Sequence, residues 1–262
     1  MTVTQGNPVE TEGAFLGVRR RRSLGGYLFL PALLLAALIA LVLAVRSARP
    51  LSTLEQRRLK LSDVLTATWE HVELTIVSTV LVLLIAIPLG ILLTRPFARA
   101  VTPPAIAVFN IGQAVPSIGL IALLAIGWNL IGFKPTVLAL VAYTVLPVLR
   151  NTMVGLRQVD TSVIESARGM GMTRPAVLTR IELPLAVPII MAGLRTALTI
   201  NVGTATLGAF VGAGGLGGLI VSGIGENNQL ITVVGAGLVA ILALLVDYLA
   251  GIAEDVLRPR GL

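Results

Sequence analysis

Long apolar runs recur along this chain, and they constrain its fold more than any other feature. The first run, at residues 27–45, contains no charged residue. A helix rises about 1.5 Å per residue, so about twenty residues cross a hydrocarbon core of about 30 Å. Backbone N–H and C=O groups find no water there, so a spanning segment must be a helix or part of a closed barrel. Runs of this length predict transmembrane helices.

Six apolar runs predict an all-α membrane protein with about six transmembrane helices. The chain is 55% hydrophobic and only 13% charged, whereas soluble domains carry about 25% charged residues. The runs lie at residues 27–45, 74–94, 105–127, 135–149, 186–211 and 230–250. Before the second run, apolar residues of segment 61–72 recur at helical spacing, which predicts an amphipathic helix on the membrane surface. His71 is expected at the membrane interface beside Trp69.

The N-terminal region allows two interpretations. Residues 1–26 are polar and then basic, with four arginines at 19–22, and are expected to form a disordered cytoplasmic tail. The run at 27–45 is then either an additional first transmembrane helix or the apolar core of a cleaved signal peptide. It is longer than the usual apolar core of a signal peptide, which favours a retained helix.

Lysine and arginine predict the orientation, because short cytoplasmic loops are enriched in them. With the N-terminus inside, thirteen of these residues fall in cytoplasmic segments and six fall outside. The first outer loop, with Arg57, Arg58 and Lys60, is an exception to the rule. The bias predicts a multi-pass protein of the plasma membrane whose N- and C-termini and segment 150–185 are cytoplasmic.

Several classes of site are excluded by the residues that the chain lacks. It has no cysteine, hence no disulfide or thiolate metal site, and its one histidine leaves no histidine cluster. The pI of about 11.0 would suit nucleic acid, but the basic residues lie between apolar runs, where they face anionic lipid. We therefore expect membrane lipid, and no nucleic acid, as a partner.

Glycine-rich patterns give no nucleotide site. The chain contains no Gly-x-x-x-x-Gly-Lys-Ser/Thr, so any ATP must be hydrolysed by another subunit. Segment 212–217 matches Gly-x-Gly-x-x-Gly, but it follows an apolar run and not a strand. It is expected to form a turn near the outer mouth, where Gly214 and Gly217 should be reached from outside.

Two short helices are predicted in the cytoplasmic segment 150–185. Asp160 or Thr161 can cap a helix over 160–170, Gly171 can end it in the left-handed conformation, and Thr173 can cap a second helix. An apolar face of the first helix requires a protein partner, since an isolated short helix is marginal in water. That face carries Val163, Ile164, Ala167 and Met170.

The same segment resembles the EAA motif of ABC importer permeases, which reads Glu-Ala-Ala, three residues, Gly, nine residues and Ile-x-Leu-Pro. Ser166 replaces the first alanine, and the spacing is otherwise kept. The resemblance implies a type I ABC importer permease fold over 61–255, in which 150–185 is the coupling loop that docks on an ATPase subunit. The matching residues are Glu165, Ser166, Ala167, Gly171, Ile181, Leu183 and Pro184.

Three further stretches, at 113–119, 146–152 and 206–217, are similar to the osmoprotectant branch of that family. This resemblance implies import of a compatible solute such as glycine betaine, choline, carnitine or proline betaine across a bacterial inner membrane. Methionine or another amino acid is the alternative substrate, and a stand-alone channel, which needs no coupling loop, is the alternative class. The implied partners are ABC ATPase subunits that hold ATP and Mg²⁺, a second permease copy or paralogue, and an extracytoplasmic solute-binding protein. The chain itself is expected to bind no cofactor and to be no enzyme.

Polar residues inside the apolar runs are candidates for a translocation pathway, because such residues are costly in a membrane. The alternative is that they bond across helices and stabilise packing. Arg195 is expected either to pair with Asp247 or to extend toward the cytoplasm, with a gating or structural role. The pathway candidates are Asn110, Gln113, Ser117, Tyr143, Thr144, Asn201, Thr204 and Thr206.

Overall fold

The computed structural model describes residues 24–47, 50–127, 129 and 131–257, and the expected tail at 1–26 lies almost entirely outside them. All regular elements in the described part of the chain are helical. They are α1 (Leu24–Ser47), α2 (Thr53–Arg58), α3 (Leu61–Leu93), a 3₁₀ turn (Pro96–Ala98), α4 (Thr102–Ala114), α5 (Ser117–Gly127), α6 (Phe133–Arg157), α7 (Thr161–Gly169), α8 (Arg174–Val177), a π turn (Leu178–Glu182), α9 (Leu183–Ala205), a 3₁₀ turn (Thr206–Val211), α10 (Gly217–Gly225) and α11 (Gln229–Leu257).

The predicted all-α membrane architecture is confirmed. Five helical stretches among the described residues are long and apolar enough to cross a membrane, and α4 with α5 makes a sixth if this bent pair is one span. The run expected at 105–127 is therefore not one straight helix, since α4 and α5 meet at 93°. Pro116 lacks an N–H and disfavours helical backbone before it, and Val115 is accordingly extended.

The expected surface helix at 61–72 is wrong, because α3 runs without interruption from Leu61 to Leu93. Its 33 residues make it about 50 Å long at about 1.5 Å per residue. No proline or glycine separates 61–72 from the apolar run, so the backbone hydrogen bonding continues. Val64 and Val72 pack against a buried cluster from α9, α10 and α11. Protein therefore covers Val64 and Val72, whereas Leu61 and Leu65 of the same segment remain exposed.

The interface position expected for His71 is also wrong. The side chain is 0% exposed, and its Nε2 lies 2.9 Å from the carbonyl oxygen of Val202 in α9. Trp69 is 68% exposed. Residues two apart on a helix point about 200° apart, so α3 cannot turn both side chains to the same environment.

Helix α6 extends further than its apolar run predicts. The run at 135–149 indicates a short span, whereas α6 covers Phe133–Arg157 and has 25 residues. Thr152, Met153 and Leu156 lie beyond the run and are buried against neighbouring helices. Tertiary packing therefore prolongs the helix by two turns past the point where the sequence becomes polar.

The centre of the bundle is formed by α3, α6 and α9. Leu74 near the start of α3 packs with Val137 near the start of α6, and Leu93 shares a cluster with Met153 near the two ends, so these helices run parallel. Ala205 at the end of α9 joins the cluster of Leu74, so α9 runs antiparallel to both. The bundle therefore has one end that carries α7 and α8, called here the loop end, and an opposite end that carries α2 and α10.

The first helix lies at the edge of this bundle. Tyr27 Oη donates to Asp255 Oδ2 over 2.8 Å, and Tyr248 Oη donates to the Tyr27 carbonyl over 2.9 Å. Further along, Leu41 approaches Gly237 of α11. These contacts attach α1 to α11, and most of its apolar side chains remain exposed.

Glycines let the central helices approach closely. A Cβ added at Gly193 in α9 would lie 2.6 Å from Asn151 Cβ in α6, and one at Gly90 in α3 would lie 2.7 Å from Thr152 Cγ2. Close backbone approach at small residues is how membrane helices gain packing contacts.

We expect Gly193→Ala to destabilise the protein by about 1–3 kcal/mol, because the new methyl group must push α6 and α9 apart. Unfolding in detergent, by heat or denaturant, measures this. Gly203→Ala in the same helix is the control, since no atom lies within 4 Å of the added Cβ. The control should be neutral or slightly stabilising, because alanine favours helix over glycine. Equal stability of the two variants would contradict the close packing of α6 on α9.

Candidate functional site

The coupling motif begins with a capped helix at the loop end. Asp160 precedes α7 and accepts a hydrogen bond from the Ser162 backbone N–H over 2.8 Å. This hydrogen bond lowers the pKa of Asp160, so the carboxylate stays ionised, which suits the positive end of a helix. The cap expected at 160 or 161 is therefore provided by Asp160.

Gly171 ends the helix in the conformation that its sequence context predicts. Its φ is +86°, a left-handed value that side-chain-bearing residues rarely adopt, while nothing lies within 4 Å of an added Cβ. The Gly171 N–H bonds the Arg168 carbonyl over 2.9 Å, and the Met172 N–H bonds the Ala167 carbonyl over 3.2 Å. Backbone conformation, and not lack of space, requires glycine here.

The second predicted helix is not a separate element. α8 passes through the π turn directly into α9, so a continuous helical stretch runs over Arg174–Val211. Thr173 occupies the position before α8, but its side chain makes no capping hydrogen bond. Pro184 does not break this helix because it stands in the first turn of α9, just beyond the π turn. α7 is thus the separate helix of the motif segment, and α8 is an extension of α9.

The apolar face of α7 is divided between the protein and the surroundings. Ala167 is 1% exposed and Ile164 is half-buried, whereas Met170 is 77% exposed and Val163 is exposed. Ala167 and Ile164 therefore pack α7 against the rest of the chain, whereas Val163 and Met170 are free to contact another surface.

The remaining motif residues fall into two groups. Glu165 and Ser166 are exposed on α7, so the serine that replaces alanine disturbs no packing. Ile181, Leu183 and Pro184 are half-buried around the π turn, and Leu183 packs against a cluster with Ala186 and Ile190 in its own helix and Leu156 in α6.

Four pathway candidates lie around the break between α4 and α5. Gln113 Nε2 donates to the Tyr143 carbonyl over 2.6 Å, and Tyr143 Oη donates to the Val115 carbonyl at the break. Asn110 Oδ1 accepts from Arg150 Nη2 over 2.7 Å and is exposed, and Ser117 is half-exposed. The structure brings these residues together between the broken span and α6.

Thr144 and Asn201 do not face an opening. Both are 0% exposed, and Thr144 Oγ1 donates to Asn201 Oδ1 over 3.2 Å. Asn201 Nδ2 donates to Thr79 Oγ1 of α3 over 3.0 Å. This network joins α3, α6 and α9, which is the packing role that was the alternative for these two residues. Thr204 and Thr206 are half-buried near the end of α9.

Arg195 pairs with Asp247, as one of the two interpretations predicts. Its Nε lies 2.9 Å from Asp247 Oδ1 and its Nη2 lies 2.8 Å from Oδ2, a bidentate pair between α9 and α11. Glu254, about two helical turns further along α11, has its Oε2 3.4 Å from Arg195 Nη1. Sequence reasoning missed Glu254, although its spacing of seven residues from Asp247 places both on one helix face.

The glycine-rich turn is more tightly built than the sequence indicates. Gly212, Gly214 and Gly215 all have positive φ, and Glu70 Oε2 of α3 accepts from the Gly215 N–H over 2.8 Å. A Cβ at Gly214 would collide with the Glu70 carboxylate, and one at Gly217 would collide with the Thr206 carbonyl. Gly214 and Gly217 are therefore unsuitable positions for a side-chain probe, contrary to our expectation.

Among the described residues, no group of three or more His, Cys, Asp or Glu side chains is arranged to hold a metal ion.

Comparison with known proteins identifies the family. Residues 86–259 match the model of the binding-protein-dependent transport system inner membrane component. The chain belongs to this family. It is a transmembrane permease subunit of an ABC importer.

Proteins with similar sequences are also named as transport permeases. The chain is 40% identical over 200 residues to the choline transport system permease protein OpuBB of Bacillus subtilis (strain 168), covering 76% of this chain and 91% of that one. It is 41% identical over 199 residues to the carnitine transport permease protein OpuCD of Listeria monocytogenes serotype 1/2a (strain 10403S), covering 76% and 88%.

Solved structures share the fold. An inward-facing form of the MetNI methionine ABC transporter superimposes with a TM-score of 0.66 at 25% identity, covering 76% of this chain and 98% of that one. A chain of an amino acid ABC transporter solved with histidines gives a TM-score of 0.64 at 15% identity, covering 79% and 99%, and this likeness concerns the fold alone. The expected type I importer permease fold is confirmed.

Proposed function

We propose that this permease imports a small osmoprotectant of the choline, carnitine, glycine betaine or proline betaine type into the bacterial cytoplasm. The observation that carries the proposal is the similarity of about 40% over three quarters of the chain to permeases named for choline and carnitine. The likeness to the methionine transporter is weaker in sequence, at 25% identity. Methionine import is therefore the second candidate.

In this proposal the ATPase subunits act on the permease through α7. Val163 and Met170 form an exposed apolar strip along α7, and the exposed Glu165, which points about 200° away from Val163, adds a charge on another side of the helix. Ala167, buried beneath it, fixes this surface to the permease. Two ATPase subunits, which hold ATP and Mg²⁺, dock there on this chain and on a second permease copy or paralogue. A conformational change is driven only if ATP binds one state of the assembly more tightly than the other.

The loop end faces the cytoplasm, and both termini lie on that side. This orientation is supported by the basic residues, which are more numerous toward the loop end than toward the opposite end. The end that carries α2 and α10 then faces outward and receives solute from an extracytoplasmic binding protein.

The pathway follows the broken span, where Asn110, Gln113, Ser117 and Tyr143 offer polar groups in an apolar setting. Broken helices supply backbone polar groups at membrane depth, provided that these line a cavity or are bonded within the protein. Thr204 and Thr206 extend the polar lining toward the outer end. Aromatic side chains, which best hold a quaternary ammonium, make up only 4% of the chain, so tight selection belongs to the binding protein.

Uptake by the complete transporter tests the substrate class. We expect cells that express this permease with its ATPase and binding protein to accumulate labelled choline, because its relatives are named for such solutes. Excess glycine betaine or carnitine should compete, and excess methionine should not. Competition by methionine alone would favour the second candidate.

We expect Gly171→Val to impair both assembly with the ATPase and solute uptake, while membrane insertion is retained. A β-branched residue at φ +86° costs about 1 kcal/mol or more, and relief of this strain must reorient α7 against α8. Glu165→Ala should weaken coupling more than folding, since Glu165 is exposed.

Co-purification with the ATPase, together with uptake of labelled solute, measures these effects. Gly169→Ala is the matched control, because Gly169 lies two residues away within α7 and has open space around its Cβ position. Full ATPase retention and normal uptake in Gly171→Val would mean that α7 is not the coupling element.

We expect a cysteine at Gly218 to react with a membrane-impermeant maleimide added outside the cell, and one at Gly169 to react only after the membrane is opened. Both positions are exposed with no atom within 4 Å of an added Cβ, and the chain has no native cysteine. The physical reason is that α10 and α7 lie at opposite ends of the bundle. The reverse labelling pattern would invert the proposed orientation.

A further inference from the structure

An ion pair joins the end of α3 to the start of α9 at the loop end. Arg95 Nη2 lies 2.6 Å from Glu182 Oε2, and Arg95 Nη1 donates to Glu182 Oε1 over 3.3 Å. Arg95 Nε also donates to the Ile91 carbonyl over 3.2 Å, which fixes the guanidinium against its own helix. The pair connects residues 87 positions apart in the chain.

Glu182 depends on this partner more than surface carboxylates do. Its side chain is 7% exposed, whereas the Arg58–Glu226 pair at the opposite end is 48% and 30% exposed. A buried carboxylate without a partner is strongly unfavourable, while an exposed one is solvated by water. Glu182 is therefore expected to stay paired with Arg95 when the surrounding helices move.

Glu182 also lies at the π turn, where the helix geometry changes. It is the last residue of the π turn, between the coupling extension α8 and the span α9. A π turn inserts a wider turn into a helix and is a common site of functional distortion. Movement of α7 and α8 relative to α9 is therefore expected to concentrate at this turn, where Arg95 attaches it to α3.

Toward the opposite end of the bundle, about ten residues after its start, α3 is attached to the glycine-rich turn and to α9. Glu70 Oε2 accepts from the Gly215 N–H over 2.8 Å, and His71 Nε2 lies 2.9 Å from the Val202 carbonyl. Both residues belong to the same unbroken helix that leads to Arg95. The 23 positions from Glu70 to Leu93, the last residue of α3, correspond to about 35 Å along the helix axis, which spans the hydrocarbon core.

We propose that α3 transmits movement of the coupling segment to the glycine-rich turn at the outer end, and that Arg95 and Glu182 are the positioning residues that attach it. The inference rests on the proposed function of α7 as the coupling helix. Its physical basis is that α3 has polar attachments at two levels about 35 Å apart, at Glu70 and His71 and at Arg95 just after its last residue, and is packed between them. Gly90, two residues after Pro88, lies directly against Thr152 of α6, so the helix is held where proline weakens its hydrogen bonding.

Charge removal in the complete transporter tests the proposal. We expect Arg95→Gln and Glu182→Gln to lower solute uptake per ATP hydrolysed by about fivefold or more, within the usual range of coupling between sites. The permease should still co-purify with its ATPase, because α7 is unchanged. Arg99→Gln is the matched control, since Arg99 lies four residues away, is exposed, and has no ion-pair partner among the described residues. Arg99→Gln should leave solute uptake per ATP hydrolysed unchanged.

A second readout reports on the outer end directly. In an otherwise unchanged permease, the rate of maleimide labelling at Gly218→Cys should change when a non-hydrolysable ATP analogue binds the ATPase. Glu182→Gln should abolish this change, and the charge-exchanged double variant Arg95→Glu with Glu182→Arg should restore part of it. A purely structural role of the pair would lower the amount of protein without removing the response of the surviving complexes.

The outcomes separate this inference from the proposed function. Normal coupling and a normal labelling response in Glu182→Gln would overturn the transmission role, even where the wild-type transporter imports choline. Absence of choline uptake in the wild type would contradict the proposed substrate, while the labelling response still decides the role of α3. If Glu182→Gln does not assemble, Glu182→Asp and Arg95→Lys, which keep the charges and change the reach, provide the same test.

Discussion

The lack of water in the membrane core governs this structure. Each backbone N–H and C=O at that depth must be bonded within the protein, so the chain crosses as helices. The break between α4 and α5 shows the same rule at work. The chain is extended at Val115, and the carbonyl of this residue is bonded by the Tyr143 hydroxyl of α6. Gln113 returns a hydrogen bond to the backbone of Tyr143. The break is therefore tolerated because α6 supplies the missing partner.

The same constraint explains where the charged groups lie. Among the described residues, the Arg95–Glu182 and Arg58–Glu226 pairs lie at the two ends of the bundle, whereas Arg195, halfway along α9, is matched by the carboxylates of Asp247 and Glu254. Elsewhere in the middle, neutral groups such as Asn201 and Thr79 join the helices. Neutral hydrogen bonds cost less desolvation than charges and still link three helices. A charge within the span is therefore found paired with carboxylates, and the other two ion pairs lie at the ends, where a transporter must contact its partners and open or close.

The segment that resembles the EAA motif, for which we propose the coupling role, combines a fixed part with a free part. Asp160 and Gly171 set the beginning and end of α7 through local hydrogen bonding and a left-handed φ. Ala167 fixes its inner face to the protein, and its outer face carries Glu165. α8 is continuous with α9, so displacement of the segment acts on a transmembrane helix without an intervening loop. In the proposed mechanism, the π turn and the ion pair of Glu182 with Arg95 distribute that displacement over α9 and α3.

The sequence by itself determined the features that depend on neighbouring residues. Uninterrupted apolar runs predicted an all-α membrane protein, the spacing from Glu165 to Pro184 predicted the family, and Gly171 predicted the left-handed turn. Only the tertiary structure decided which helices meet. It made 61–72 part of α3, buried His71 and Asn201, bent the third span, and paired Glu182 with Arg95. The reason is physical: hydropathy and turn chemistry act over a few residues, whereas burial and ion pairing depend on side chains brought together by the packing of distant helices.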